Sequence, residues 1–181
     1  MIALIPALAL LLAPAASAAT FNGVTLPDSV TVGGQSLVLN GMGLREKYFL
    51  DIYVGGLYLP AKSSDAAAII ALDAPKRVTM HFIYSDVPKD KITETLYEGL
   101  AKYPQYGSLK PQMDTVASWM EDAHAGDEMV YEYVPGQGTT VFVKGKKKGI
   151  IPGREFMTLV FNIYLGPNPA NEALKAGLLG R

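Results

Sequence analysis

Arg45 has the type and setting in this sequence best suited to binding chemistry. It lies in Leu39-Asn40-Gly41-Met42-Gly43-Leu44-Arg45-Glu46-Lys47, embedded between apolar segments. A planar guanidinium placed there can receive a carboxylate or an enolate oxygen through two parallel hydrogen bonds. The bland alternative is an arginine that pairs with Glu46, Asp51 or Glu98, or lies on the surface. Tyrosine is also abundant, at ten residues, and Tyr53, Tyr58, Tyr84, Tyr131 and Tyr133 fall in predicted strands. A phenol offers a pocket an apolar body with a polar tip. Core and interface roles account for most of the ten, and one or two could face a ligand.

Other chemistries lack their parts. Of the two histidines, His81 reads as a structural residue of a strand, and His124 belongs to a solvated helix end and turn, Glu121 to Glu128. Neither sits at a metal-ligand spacing. There is no cysteine, which removes thiol catalysis, thiolate metal sites and disulfides. No Gly-x-Ser-x-Gly elbow is present. Gly41-Met42-Gly43 lacks the third glycine of a dinucleotide fingerprint, because Glu46 occupies that place. Asp86 and Asp90, around Val87-Pro88-Lys89, read as acids at the start of a helix. No metal and no cofactor are therefore expected. A formal net charge of −1 argues against a nucleic-acid partner held by phosphate contacts.

The elements that must position Arg45 follow from periodicity. Ser29 to Val32 and Ser36 to Leu39 are short strands separated by the turn dipeptide Gly33-Gly34. Tyr48 to Leu59 is apolar on both parities, as in a strand covered on both faces, and Gly55-Gly56 within it invites a bulge or a close approach to its backbone. Ser64 to Leu72 is a short Ala-rich helix. Arg77 to Ser85 returns to strand, with Val78, Met80, Phe82 and Tyr84 on one parity. Lys89 to Lys102 carries the helical stripe Ile92, Leu96 and Leu100, and Ser108 to Asp122 carries Met113, Val116, Ala117 and Met120. Met129 to Val134 and Thr139 to Lys144 form a hairpin, followed by a basic turn, Lys144 to Lys148. Two helices close the chain, with Phe156, Leu159, Val160 and Ile163 striping the first and Leu174 and Leu178 on the second. This order predicts an α+β domain with an antiparallel sheet.

The beginning of the sequence has another purpose. Residues 1 to 18 are uncharged, with a short apolar centre from Leu8 to Leu12 and a small-x-small site at Ala16-Ser17-Ala18, the pattern of a cleavable secretory signal. A membrane anchor would need about 18 or more uninterrupted apolar residues, and Pro6, Pro14 and Ser17 interrupt this one. The expectation is a signal peptide at 1–18, one domain at 19–181, and a bacterial periplasm as destination. No transmembrane segment is expected after cleavage.

Several stretches resemble the chalcone isomerase-like family, and its exported bacterial branch in particular. They are Phe21-Asn22-Gly23-Val24-Thr25-Leu26-Pro27, Leu39 to Lys47, Ile52-Tyr53-Val54-Gly55-Gly56-Leu57-Tyr58-Leu59, Asn162-Ile163-Tyr164-Leu165-Gly166, and Leu174 to Gly180. The resemblance implies an open-faced β-sandwich, a large antiparallel sheet packed against a layer of helices with a cleft between. The family includes enzymes that close a chalcone to a flavanone and relatives that bind fatty acids. Arg45 matches the enzymes' arginine of Gly-x-Gly-x-Arg. Their threonine falls on Tyr53, where the fatty-acid binders use a tyrosine beside the arginine. Their tyrosine falls at Pro88 or its neighbours Val87 and Lys89, none of which is a phenol. These departures weigh against catalysis and imply a periplasmic binding protein for a small amphipathic anion such as a fatty acid. Arg45 and Tyr53 would hold the carboxylate, and Met80, Met113, Met120 and Met157 could adapt to a tail. Alternatives are an isomerase of the chalcone type and a structural envelope protein with a filled core. Along one unbroken strand Arg45 and Tyr53 would stand about 26 Å apart, at roughly 3.3 Å per residue. They meet only if the chain turns back, and Glu46 to Asp51 contains no Gly or Pro. If it runs straight, Tyr84 or Tyr97 becomes the partner of Arg45.

Overall fold

The computed structural model describes residues 17–181. The expected signal segment lies outside the described residues except for Ser17 and Ala18. The chain opens with a hairpin of β1 (Ala18–Phe21) and β2 (Val24–Pro27) around Asn22-Gly23. Then come β3 (Ser29–Val32), the long β4 (Gln35–Lys47) and β5 (Leu50–Leu59). Helix α1 (Ala66–Ala71) leads to β6 (Lys76–Phe82), the two-residue β7 (Asp86–Val87) and α2 (Lys89–Ala101). A 3₁₀ segment (Pro104–Leu109) runs into α3 (Lys110–Ser118), and β8 (Ala123–His124) pairs with β7. The strands β9 (Glu128–Val134), β10 (Gly138–Val143) and β11 (Lys146–Ile151) precede α4 (Arg154–Leu165) and α5 (Glu172–Leu178).

Seven strands make one sheet in the order β11-β10-β9-β6-β5-β4-β3, and every pairing in it is antiparallel. The helices cover one face, giving the α+β, open-faced sandwich. Because strand side chains alternate between faces, β5 serves two cores. Tyr53, Leu57 and Leu59 join the helix-side core, while Val54 and Tyr58 join a smaller one with Val24 and Leu26 of the β1–β2 hairpin. That explains the double-parity apolar run. The Gly55-Gly56 expectation also has its cause, since a Cβ at Gly55 would lie 2.8 Å from Leu174 Cδ1 and one at Gly56 2.5 Å from Leu26 Cδ1. No helix among the described residues is long and apolar enough to cross a membrane.

Three expectations need correction. The strand expected from Tyr48 begins at Leu50, because Tyr48 and Phe49 form a turn. The strand expected to reach Ser85 ends at Phe82, which leaves Tyr84 in a bend beyond it. The basic run is a turn only at Lys144-Gly145, since Lys146–Ile151 is the sheet's edge strand. Lysines on an edge strand discourage pairing with another sheet, so charge there masked a strand. Lys76, by contrast, is fully buried. Its ammonium donates to the carbonyls of Ile69 and Leu72, both at 2.7 Å, and lies 4.7 Å from the Phe161 ring centroid, so it closes the C-terminal end of α1.

Candidate ligand-binding site

The chain turns back between Arg45 and Tyr53. Lys47 pairs with Leu50 across a two-residue loop, and Tyr48 (φ 53°) and Phe49 (φ 64°) both adopt left-handed backbone. This is the primed turn that matches strand twist, usually built from Asn-Gly. Aromatic residues can enter it at a conformational cost, so the missing Gly or Pro did not prevent the reversal. Arg45 and Tyr53 become direct cross-strand partners, on the helix-facing side of the sheet, at the spacing of an opposed antiparallel pair, about 5 Å between Cα atoms.

Glycines set what lies above Arg45. A Cβ at Gly41 would lie 2.2 Å from the Gly177 carbonyl, one at Gly43 2.4 Å from the Leu174 carbonyl, and one at Gly177 2.3 Å from the Met42 carbonyl. Helix α5 therefore rests with its backbone directly on β4. Asn171 fastens the start of that helix, since its Oδ1 accepts from the Leu174 amide at 2.8 Å and its Nδ2 donates to the Glu46 carbonyl at 3.3 Å. Next to it, the Ala170 carbonyl accepts a hydrogen bond from Arg45 Nη1. The Gly-x-Gly-x-Arg stretch is thus a packing device for α5 that ends in an oriented guanidinium.

Arg45 is only 9% exposed, and no carboxylate among the described residues forms an ion pair with it. Glu98 pairs instead with Lys47 at 3.7 Å. Asp51 accepts from Asn22 at 3.4 Å, and Glu46 is exposed. The guanidinium borders a half-enclosed pocket of about 320 Å³ between the sheet and α2. Tyr53, Met80, Phe82 and Met129 form the sheet wall, Ile92 and Leu96 the α2 wall, and Tyr164 enters from α4. Tyr84, Val87 and Pro88 line it where the chain passes from β6 to α2, and Lys47, Tyr48, Leu50, Lys91, Glu94 and Glu98 belong to its lining on the solvent side.

Burial pushes the Tyr53 phenol up to about 12, a rise that the Arg45 charge and the Tyr164 hydroxyl hold back in part. Burial also raises Tyr164 well above the usual tyrosine range. Its hydroxyl donates to Met80 Sδ at 2.9 Å. Behind them the buried Tyr131 hydroxyl has no hydrogen-bond partner among the described residues. The Tyr53 and Tyr164 phenols are therefore un-ionised at neutral pH and can donate to an anion beside Arg45.

The structure brings Arg45, Tyr53 and Tyr84 to one pocket. It does not bring Tyr97, which is exposed and donates to Asp114 at 2.7 Å on the outer side of α2. Of the four methionines considered for a tail, Met80 lines the pocket, while Met113, Met120 and Met157 are buried core residues. His81 lies 3.4 Å from Glu128, and the exposed His124 stands between Asp86 and Asp127. Asp90 is in the first turn of α2 as expected, but Asp86 belongs to β7. Tyr164 escaped sequence reasoning, although its spacing of four from Val160 places it beside the core stripe of α4.

The fold and site define an open-faced sandwich with a small-molecule pocket between its sheet and its helices. The sequence matches the chalcone isomerase-like family over residues 18–180, and the chain belongs to that family. In fold it is similar to the crystal structure of an Arabidopsis thaliana fatty-acid binding protein. The two share a TM-score of 0.71 at 15% sequence identity, over 90% of this chain and 96% of the other. No sequence among the curated proteins matches it.

Proposed function

We propose that this protein binds a small amphipathic carboxylate, a fatty acid or a close analogue, without transforming it. The observation that carries the reading is Arg45, a buried cation bordering the pocket with no anionic partner among the described residues. Taking a charge out of water is costly unless an opposite charge meets it, and a ligand carboxylate supplies one in bidentate geometry. Tyr53 and Tyr164 add neutral donors, and Met80, Phe82, Met129, Ile92 and Leu96 offer apolar contact to a tail. A volume of about 320 Å³ stands at the low end for small-molecule sites, which favours a short chain or one whose end emerges from the pocket. The likeness in fold to a fatty-acid binding protein supports the same reading. Export to a periplasm after removal of residues 1–18 completes the proposal.

Chalcone cyclisation finds less support. Position 53 is a tyrosine, and the pocket lining at Val87 and Pro88 carries no phenol. Native mass spectrometry with organic extraction of the purified protein tests the binding reading, followed by titration of a fluorescent fatty acid into wild type and Arg45→Ala. A co-purified fatty acid is expected, with affinity in the variant lower by roughly 30-fold or more, because truncating one side of a buried charge pair costs about 2–5 kcal/mol. An empty wild-type protein, or equal affinity in a folded Arg45→Ala, would overturn the assignment. Chalcone consumption followed by absorbance serves as the control for catalysis.

A further inference from the structure

Four hairpins of this fold close with two-residue loops in left-handed backbone: Asn22-Gly23, Gly33-Gly34, Tyr48-Phe49 and Lys144-Gly145. Three of them place glycine second, as the geometry prefers. The fourth places two aromatic residues there, where the Cβ of a non-glycine residue crowds the following carbonyl oxygen. Packing does not compensate for this, since Tyr48 is 83% exposed and Phe49 96%. Leu50, the next residue, is 43% exposed. Tyr48 gains from the fold the Lys47 ammonium, 5.8 Å from its ring centroid, and Phe49 is left almost wholly in solvent. A local rule broken for so little return inside the fold marks a surface shaped by something outside it.

The position of the tip indicates what that is. Tyr48 and Leu50 line the pocket while Phe49 projects beyond it, so the aromatic tip stands at the entrance to the site. The charges beside it are balanced. Lys47 pairs with Glu98 and Lys91 with Glu94 at 2.8 Å, and Asp51 follows within the same hairpin. This is an apolar wedge in a near-neutral collar rather than a cationic patch. Aromatic rings with a polar rim suit the boundary between headgroups and acyl chains.

We propose that the Tyr48-Phe49-Leu50 tip docks the protein on a lipid bilayer surface by inserting Phe49 among the headgroups, with the pocket entrance facing the membrane. The docking goes beyond the binding reading and rests on it only for its purpose, which is to collect a ligand where such ligands partition. Because apolar insertion drives it, docking depends weakly on salt.

Flotation of the protein with vesicles of phosphatidylcholine and phosphatidylglycerol tests this, using wild type, Phe49→Gly, Phe49→Trp and Arg45→Ala. Glycine at position 49 suits the turn, so that variant should melt at or above the wild-type temperature. Its vesicle partitioning should fall by roughly ten- to a hundredfold, the value of burying one phenylalanine side chain, while its affinity for a soluble fluorescent fatty acid stays unchanged. Phe49→Trp should float at least as well as wild type, and Arg45→Ala should float normally. Failure of Arg45→Ala to bind fatty acid therefore reports on the pocket, and failure of Phe49→Gly to float reports on the tip. Wild type that does not float, or Phe49→Gly that floats equally, would overturn the docking. So would a wild-type dimer that Phe49→Gly converts to monomer with no change in vesicle partitioning, since the tip would then be a contact between two copies.

Discussion

Replacing Tyr53 with phenylalanine removes one oxygen atom from the pocket and little else. The ring contact with Phe82, at 5.6 Å between centroids and 63° between planes, is available to phenylalanine as well, so shape and hydrophobic contact survive. What is lost is one neutral donor to an ionised carboxylate, and hydrogen bonds to charged groups contribute about 1.5–3 kcal/mol. Affinity for a fatty acid should fall roughly ten- to a hundredfold. Tyr164, whose hydroxyl now bonds Met80 Sδ, can turn toward the ligand and place the loss near the lower figure. The pH profile adds a second constraint. With Tyr53 pushed up to about 12 by burial, wild-type affinity should stay flat from neutrality to about pH 10, where an ordinary tyrosine is half ionised. Displacement of a fluorescent fatty acid from wild type and Tyr53→Phe across that range reads both. A variant that binds as tightly as wild type would remove Tyr53 from the site. Wild-type affinity that falls with a midpoint near pH 10 would show that the donor is a phenol with a normal titration, and the buried pair would be the wrong pair.

Two further outcomes follow from the same structure. Gly43→Ala sets a Cβ 2.4 Å from the Leu174 carbonyl, against helix backbone that cannot rotate aside, so overpacking should destabilise the protein by about 1–3 kcal/mol. It should also weaken ligand binding by shifting the Ala170 carbonyl from Arg45, and an unchanged urea midpoint would show that α5 is not seated on β4. Stability should also pass through a maximum near pH 10. Burial, with Arg154 adding to it, lowers Lys76 to about 7, so from there to its unfolded value the unfolded chain holds the extra proton and stability rises with pH. Tyr53 and Tyr58, both raised to about 12 by burial, act oppositely above about pH 10, where the folded state keeps protons the unfolded chain has lost. Each then subtracts about 1.4 kcal/mol per pH unit. Urea unfolding at pH values spanning 7 to about 11 checks this, with Lys76→Met expected to abolish the rising limb and a steady decline from neutrality refuting it.

Much of the fold was legible because its signals are local. Gly33-Gly34 marks the β3–β4 turn, the parity of Val78, Met80 and Phe82 marks β6, and the Ile92 and Leu100 stripe marks the buried face of α2. The β1–β2 hairpin escaped sequence reasoning, although Asn22-Gly23 adopts the φ values of 47° and 79° that the dipeptide favours, because its flanking strands are only four residues each. The site was only half legible. Arg45 and Tyr53 could be named, but their meeting depends on a turn built from residues that rarely make one, and a propensity argument gives the wrong sign there. Tyr164 was obscured by its neighbours, because helical periodicity separates core from surface and says little about which core residue borders a pocket.

The chemistry this pocket can do follows from what its groups can and cannot exchange. A general acid or base works best with a pKa near the operating pH. The phenols beside Arg45 are displaced the other way, Tyr53 to about 12 and Tyr164 well above the usual range, so near neutrality they hold their protons and can donate hydrogen bonds to an anion. Arg45 is itself a permanent cation, fixed by the Ala170 carbonyl and by a helix that rests on glycines. Three donors with no proton to trade, one of them charged and largely removed from water, form an arrangement that stabilises an anion already formed. An enolate produced during ring closure is such an anion as well, but the positions that the resemblance assigns to the family enzymes' water network carry Tyr53 and the Val87-Pro88 backbone here. A carboxylate arrives ionised, and a buried guanidinium with two neutral donors beside it is the reason we propose one as the ligand.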